Sequence, residues 1–410
     1  MLSTQLVIVG AGPAGMMAAL QASQNQKKVI LFDKQISPGT KLLLTGNGRC
    51  NLTNAMPMEH WDSMIFRNHA FLRSAFRAFS NQDLMSWMEA KGLTLVEEEH
   101  GRVYPASHSA KAVLEVLKKA LLQQNVQFIQ NRITHLCIQD KTISGLMDAS
   151  GKTWDAKAVI LACGGKSYPQ TGSNGDGYSL AQQAGHSLVT PRPSLCSLNL
   201  LQKPFAQLSG ISLPQVRVKL MNASGYLYGE QTGSVLFSHL GITGPAVINL
   251  SAFLPVQADD KLWIVIDFLP HFSAEQLCDA WARVKERTKI QDWLEKECSF
   301  PRRFCQWLSA AYDFCLSLPV NQWSKKEKTL AASWLKQSSF ELTGDFSFQE
   351  AMVTAGGISV KEIRPNTMES RLIKGLFFAG EIMDMDGLTG GFNLQIAFST
   401  GYLAGSSACQ

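Results

Sequence analysis

Four apolar residues, Leu6-Val7-Ile8-Val9, run directly into Gly10-x-Gly12-x-x-Gly15, and this junction limits the possible folds more than any other feature of the chain. A short unbroken apolar run is the pattern of a strand buried on both faces of a parallel sheet. Residues 14–23 then read as a helix, and residues 29–32 as a second strand that ends on Asp33. In such a turn the first glycine permits the tight bend, the second lets a pyrophosphate approach the backbone, and the third lets helix and strand pack closely. The helix start offers free N–H groups and the positive end of its dipole to phosphates. An acid at the end of the second strand is placed to accept hydrogen bonds from an adenosine ribose. A glycine triplet alone is a weak signal. With strand, helix and acid at the right spacing, it predicts dinucleotide binding.

The rest of the chain sorts into four stretches. Residues 34–65 have little periodicity and many Gly, Asn and Thr, the marks of a functional loop. Helices are expected over 70–90, with capping-box spacing at Ser80 and Asp83, and over 109–124. Strand-like runs fill 126–159, with a hairpin at Asp140-Lys141 and a turn at Ser150-Gly151-Lys152. Residues 159–162 form a further buried strand running into Gly164-Gly165. Composition then shifts: four prolines (191, 193, 204, 214) punctuate the chain, and residues 215–220 alternate like a half-buried antiparallel strand. Residues 226–237 and 262–268 continue that β character. From 273 to 337 the pattern turns helical, with boxes at Ser273/Gln276 and Ser324/Glu327. Trp281, Trp293, Trp307, Trp323 and Trp334 read there as the core of a small helical subdomain. Residues 375–380 return to a buried strand, and a Gly-rich loop leads into a helix over 393–408. The most economical arrangement is one α/β domain made from both chain ends, with the middle inserted.

Composition removes several function classes. Lys plus Arg (38) against Asp plus Glu (33) leaves +5, and no basic run is interleaved with aromatics. That is too mild to announce a nucleic-acid or membrane partner, so a small-molecule substrate is expected. Nine cysteines without a C-x-x-C pair argue against a disulfide framework, a zinc site or a thioredoxin-like pair, and no metal site is expected. No stretch reaches the roughly 18 apolar residues of a membrane span. The first basic residue, Lys27, follows the apolar N-terminal run, so that run does not read as a signal peptide. The expectation is a reduced, cytoplasmic chain.

Which dinucleotide is bound follows from where the glycines fall. Clusters recur at Gly46/Gly48, Gly164/Gly165, Gly380 and Gly387/Gly390/Gly391. Several backbone approaches spread over the chain suit a long, extended ligand such as FAD. No second glycine fingerprint marks a separate NAD(P)H domain.

Longer blocks carry a family resemblance. They are the turn at residues 10–15; Thr40-Lys41-Leu42-Leu43-Leu44-Thr45-Gly46-Asn47-Gly48-Arg49-Cys50-Asn51-Leu52-Thr53-Asn54; and Gly101-Arg102-Val103-Tyr104-Pro105. Gly164-Gly165-Lys166-Ser167-Tyr168-Pro169, Thr171-Gly172 and Gly175-Asp176-Gly177-Tyr178 follow. Phe237-Ser238-His239, Gly244-Pro245, Thr354-Ala355-Gly356-Gly357 and Gly391-Phe392-Asn393-Leu394-Gln395 complete them. On these blocks the chain resembles the BaiN/YhiN-like flavoprotein family over essentially its full length; residues 273–337 carry no matching motif. The resemblance implies a Rossmann-like α/β protein with non-covalent FAD, an inserted β-barrel and a small helical subdomain. The expected domains are a discontinuous FAD-binding domain (1–190 and 346–410), the barrel (191–270) and the helical subdomain (271–345). It also implies an NAD(P)H-dependent reductase, with bile-acid-like enones among the substrates of the family, while a related branch implies an aminoacetone oxidase.

Candidate cofactor-binding residues come from both readings. The turn supplies Gly10, Gly12, Pro13, Ala14 and Gly15, and the second strand supplies Asp33 and Lys34. The glycine-rich loop adds Lys41, Leu42, Thr45, Gly46, Arg49, Cys50 and Asn51, with Lys41 and Arg49 facing the pyrophosphate and Cys50 a buried bystander. Ile133, Ala162 and Gly164 lie along the ligand's expected path. Gly380, Glu381 and Asp386 would hold the ribityl chain. Gly391, Phe392, Asn393 and Leu394 open the last helix, whose N-terminus would stabilise negative charge on the reduced flavin. Lys166, Tyr168, Tyr178 and His239 are polar candidates for substrate chemistry, and none is assigned a catalytic role. The expected activity is an FAD-dependent oxidoreductase in which NAD(P)H, a diffusible reductant, reduces the flavin and hydride passes to an enone. A flavin oxidase of small amines and a non-redox, RNA-modifying FAD protein remain the alternatives.

Overall fold

The structure, a computed structural model, describes residues 5–24, 28–256, 261–284, 287–312 and 316–409. It divides into two compact units, Met1–Pro193 with Phe348–Gln410, and Ser194–Ser347.

The first unit is built on a five-stranded, wholly parallel sheet. Its order is Leu376–Phe378, Ala158–Leu161, Gln5–Val9, Lys28–Asp33, Gln127–Gln130. The apolar N-terminal strand lies at the centre, where Val7 and Ile8 have no exposure. Parallel neighbours need a crossover, and helix Pro13–Ser23 supplies it between the first two strands. The last helix, Phe392–Ser407, lies against that crossover helix backbone to backbone. A Cβ on Gly401 would fall 2.2 Å from the Ala14 carbonyl oxygen, and one on Gly405 would fall 2.4 Å from that of Ala18. Two small residues four apart therefore set this contact. The expected hairpin forms between Ile133–Gln139 and Thr142–Asp148, and both Asp140 and Lys141 take positive φ, as a two-residue type I′ connection requires. The Ser80/Asp83 capping box forms at the start of helix Asn81–Ala90.

In the second unit a six-stranded antiparallel sheet curls until its edges meet. The order runs Leu198–Asn199, Gly241–Thr243, Leu227–Phe237, Ser212–Asn222, Leu262–Asp267, Ser338–Glu341. Leu200 bridges to Leu342, and the Leu201 N–H bonds to the Glu341 carbonyl at 2.9 Å, so closure removes the free edges. Alternate residues Val216, Val218 and Leu220 point into the interior. Helices Ala274–Arg283 and Lys325–Lys336 start with the two expected capping boxes. Sheet and helices share one apolar core, in which Phe304 stacks on Phe237 and meets Trp307. Trp281, Trp293, Trp307 and Trp323 are buried, which is the core role expected of them. No described helix is long and apolar enough to cross a membrane.

Candidate functional site

The three glycines of the turn divide their work as the spacing predicts. Gly10 has φ +104°, its N–H bonds to the Phe32 carbonyl at 2.8 Å, and a Cβ there would sit 2.4 Å from the Ala162 oxygen. Gly15 lies so close to the turn that its Cβ would fall 1.8 Å from the Gly10 oxygen. At Gly12, by contrast, a Cβ would meet nothing within 4 Å. The middle glycine faces open space, and no side chain caps the helix behind it. Unpaired N–H groups at a helix start beside an open glycine suit a pyrophosphate. Asp33 accepts from the Ala11 N–H at 2.7 Å and from the Gln35 N–H at 2.8 Å, which holds its carboxylate at the cleft's edge.

The open space is a cleft of about 1060 Å³ along the C-terminal ends of the central strands. From the turn and second strand, Gly10, Gly12, Pro13, Ala14 and Asp33 line it. The glycine-rich loop contributes Lys41, Leu42 and Thr45, and the exit of strand Ala158–Leu161 contributes Ala162 and Gly164. Glu381, Asn393 and Leu394 complete the set of expected residues that line it. Beyond Asp33 a smaller cavity of about 420 Å³ is lined by Lys34 and Ile133 with Arg132 and Asp176. There Lys34 and Arg132 both pair with Asp176, at 2.7 and 2.8 Å. Burial works to raise the Asp176 carboxyl, but the two cations outweigh it and hold it below the usual carboxylate range.

Within the cleft, Lys41 pairs with Glu381 at 2.7 Å, and the other Glu381 oxygen accepts from the Thr354 N–H at 2.8 Å. Asn393 is locked on the last loop: its oxygen accepts from the Gly387 N–H at 2.9 Å and its amide donates to the Gly387 carbonyl at 2.7 Å. Met352, Val353, Met385, Ile396 and Ala397 make much of the lining apolar. None of these five was singled out in the sequence, since apolar side chains carry no motif beyond core periodicity. Thr171 and Gly172, also on the wall, do stand in a family block.

The remaining candidates lie outside the lining. Gly46 takes φ +56° and bends the loop, while Gly380 takes φ +76° and packs against Ala14. Gly391 caps the last helix with φ +99°, against the Thr53 carbonyl. Phe392 is buried edge-on to Trp61. The Asn51 amide, oriented with its oxygen toward the Gly391 N–H, also donates to the Thr53 carbonyl, each at 3.1 Å. Arg49 turns away to Glu98 and lies over the Tyr104 ring at 4.2 Å. Asp386 is fully buried and paired with Arg67. Burial pushes the Cys50 thiol up to about 12 against a hydrogen bond with Thr45, so it is no thiolate at neutral pH.

Of the four polar candidates, Lys166 lies over the Phe348 ring at 5.8 Å, and its backbone N–H bonds to Thr354 Oγ1. Tyr168 sits in a left-handed turn, with its phenol raised by burial. Tyr178 is buried, its hydroxyl has no described partner, and burial followed by the charges of Glu381 and Asp384 raises it well above its ordinary value. His239 is exposed in the other unit.

An open glycine over helix N–H groups, a fixed acid beside it, and a cleft continuing to a second helix start together fit FAD. Comparison with known proteins points the same way. Residues 4–407 match the family described as HI0933-like protein Rossmann domain. The chain is 31% identical to the 3-dehydro-bile acid delta(4,6)-reductase of Clostridium scindens, covering 98% of both chains. It is 30% identical to the ribosomal RNA dihydrouridine synthase of Haemophilus influenzae, covering 97% of this chain and 96% of that one. In fold it resembles 3-ketosteroid-delta4-(5alpha)-dehydrogenase from Rhodococcus jostii, with TM-score 0.54, 15% identity, and 99% and 97% of the two chains covered.

Proposed function

The chain belongs to the HI0933-like Rossmann flavoprotein family, an FAD-binding oxidoreductase family, and from that premise we propose that it reduces carbon–carbon double bonds conjugated to a carbonyl, with NAD(P)H as electron donor. One observation carries the reading. Two full-length relatives with unlike substrates have names that describe the same bond change. A 3-oxo-4-ene and the 5,6 bond of uridine are both double bonds next to a carbonyl, and both names imply the addition of two hydrogens.

FAD, when bound, would supply two-electron hydride chemistry. The chain's own residues have separate tasks around it. Gly12 and the N–H groups behind it bind the pyrophosphate, and Asp33 accepts from the ribose. Lys41, held by Glu381, places a cation in the cleft, and Glu381 is itself fixed by Thr354. The start of the last helix, held by Asn393 at the cleft, would offer its positive end to negative charge on a bound flavin. The apolar wall of Met352, Val353, Met385 and Ile396 keeps water from the reacting face.

For this chain we take a small conjugated ketone as the substrate; uridine in ribosomal RNA is the second reading, favoured by the relative of that name. The test is anaerobic absorbance of the FAD-loaded protein titrated with NADPH and then NADH, followed by addition of a 3-oxo-4-ene steroid or of unmodified ribosomal RNA. Bleaching by either nucleotide and recovery on adding the steroid is expected. Recovery with RNA alone would favour the second reading. A flavin that neither nucleotide bleaches would sink the NAD(P)H reading and turn the search to amines and oxygen.

A further inference from the structure

Beside the cleft, one charge cluster keeps hydrogen-bonding capacity that the described chain does not use. Arg67 and Asp386 are paired. Asn68 donates to the Asp384 carbonyl at 2.6 Å and to its carboxylate at 3.2 Å. The other carboxylate oxygen of Asp384 is buried without a partner, as is the Tyr178 hydroxyl. Arg192 completes the group. It is half-buried, it feels Arg67, Asp386 and Asp384 electrostatically, and among the described residues its guanidinium makes no hydrogen bond or ion pair. A guanidinium presents five N–H donors in a fixed fork, and removing them from water without an acceptor costs free energy.

Backbone pairing places Arg192 on the strand next to one that contributes to the cleft wall. The Ser359 N–H bonds to the Ser187 carbonyl, and Gly356 lies against the Thr190 carbonyl. The strands Val353–Ile358 and Leu188–Ser194 are therefore antiparallel, which brings Thr354 opposite Arg192. Thr354 holds Glu381, and Val353 next to it lines the cleft. Met385, between the two aspartates, lines it as well. Two arginines thus sit in one cluster, and only Arg67 is committed to a carboxylate.

We propose that Arg192 is a catalytic residue that donates hydrogen bonds to the substrate's carbonyl oxygen and stabilises the charge that gathers there during reduction. The assignment rests on the double-bond reductase reading. As the β-carbon accepts a hydride from the reduced cofactor, the C=C electron pair shifts toward the carbonyl carbon and the C=O pair moves onto oxygen. A proton from solvent then bonds to the α-carbon and the carbonyl re-forms, so one hydride and one proton are added in all. Burial, then the like charge of Arg67, bring Arg192 down to about 10 against the pull of Asp386 and Asp384. It therefore stays cationic at neutral pH and takes no part in the proton balance.

The test uses the full-length, FAD-loaded protein with Arg192→Met and Arg192→Lys. The probe is 4-chlorophenol, whose phenolate is a stable stand-in for an enolate. Wild type is expected to bind the phenolate, read as a change in flavin absorbance, and Arg192→Met to lose that binding. Turnover of a conjugated ketone should fall by about 10²–10³-fold in kcat, the usual effect of removing one donor to a developing oxyanion, with a smaller change in KM. Arg192→Lys should retain part of both. If Arg192→Met fails to hold FAD, the lysine variant decides: it must bind the phenolate more weakly than wild type. A variant that holds FAD, binds phenolate as wild type does and keeps its kcat overturns the assignment. If wild type reduces no conjugated carbonyl but binds phenolate in an Arg192-dependent way, the reductase reading fails and Arg192 stands as an anion receptor.

Discussion

Two polar clusters in the first unit end in opposite states. Around His186 everything is paired. Its Nε2 lies 2.8 Å from Ser370 Oγ and its Nδ1 3.2 Å from Glu362, with the Phe378 ring packed edge-on. The Ser370 oxygen already accepts from the Leu372 and Ile373 N–H groups at 3.0 and 2.9 Å, so its own hydrogen goes to Nε2 and the ring's proton goes from Nδ1 to Glu362. Glu362 also accepts from the Ser187 hydroxyl and N–H. A serine, a histidine and an acid in a row suggest nucleophilic catalysis, but Ser370 is 2% exposed and its lone pairs are occupied. Around Arg192 the pairing stops short. A row of residues that suggests catalysis does not by itself make a site; unused donors and acceptors are what set the second cluster apart.

The largest effect should come from the half of the open cluster that is paired. Asp386 has no exposure, and replacing it by Ala leaves the Arg67 charge without that partner. Breaking a buried ion pair from one side costs about 3–5 kcal/mol, so the urea midpoint of Asp386→Ala should fall accordingly. A loss under about 1 kcal/mol would mean that water reaches Arg67 freely and the pair is a surface one.

A smaller effect is expected in the closed cluster, of a different kind. Ser370→Ala removes the acceptor for two N–H groups and the donor to His186, at a cost of about 1–3 kcal/mol. FAD content and turnover at 25 °C should be unchanged, because nothing in this network lines the cleft. Stopped-flow turnover of the FAD-loaded variant checks this. If kcat collapses while the fold survives, the distinction between the two clusters is wrong.

The same distinction explains what could be read from the sequence. Features set by neighbours in the chain were legible: the tight turn at Gly10 and the close packing at Gly15, the capping boxes at Ser80, Ser273 and Ser324, and the hairpin at Asp140-Lys141. The core tryptophans followed from composition. Features set by distant partners were not. Arg49 stands in a glycine-rich block and was expected at the pyrophosphate, yet Glu98 and Tyr104 hold its side chain elsewhere. Residues 34–65 read as loop, but Lys41–Gly48 is a 3₁₀ segment broken at Thr45, Gly46 and Asn47, and Thr45 still reaches the cleft. Arg192 has no motif around it; its significance depends on Thr354 and Asp386, more than 160 residues away in the chain. A charge left unpaired is a property of the fold and has no local signature.

The smallest expected effect is the response of the closed cluster to acid. Burial lowers His186 from its ordinary value of 6.5 against the pull of Glu362, so the folded protein prefers the neutral ring. The unfolded chain then binds the proton first. This contribution to stability is complete above about pH 6.5 and is lost as pH falls from there through the folded value. Glu362 works in the same direction in a lower window. Burial would raise it, but the Ser187 hydrogen bonds and His186 outweigh that and hold it below its ordinary 4.5, so its contribution is lost as pH falls through that lower value. One proton can account for at most about 1.4 kcal/mol per pH unit. Urea midpoints measured at pH 8, 7, 6 and 5.5 should therefore decline gently in wild type below pH 6.5. In His186→Gln, less stable at pH 8, that slope should flatten. A slope that survives the substitution would place the proton on another group, and His186 would then not be the locked neutral ring that its hydrogen bonds describe.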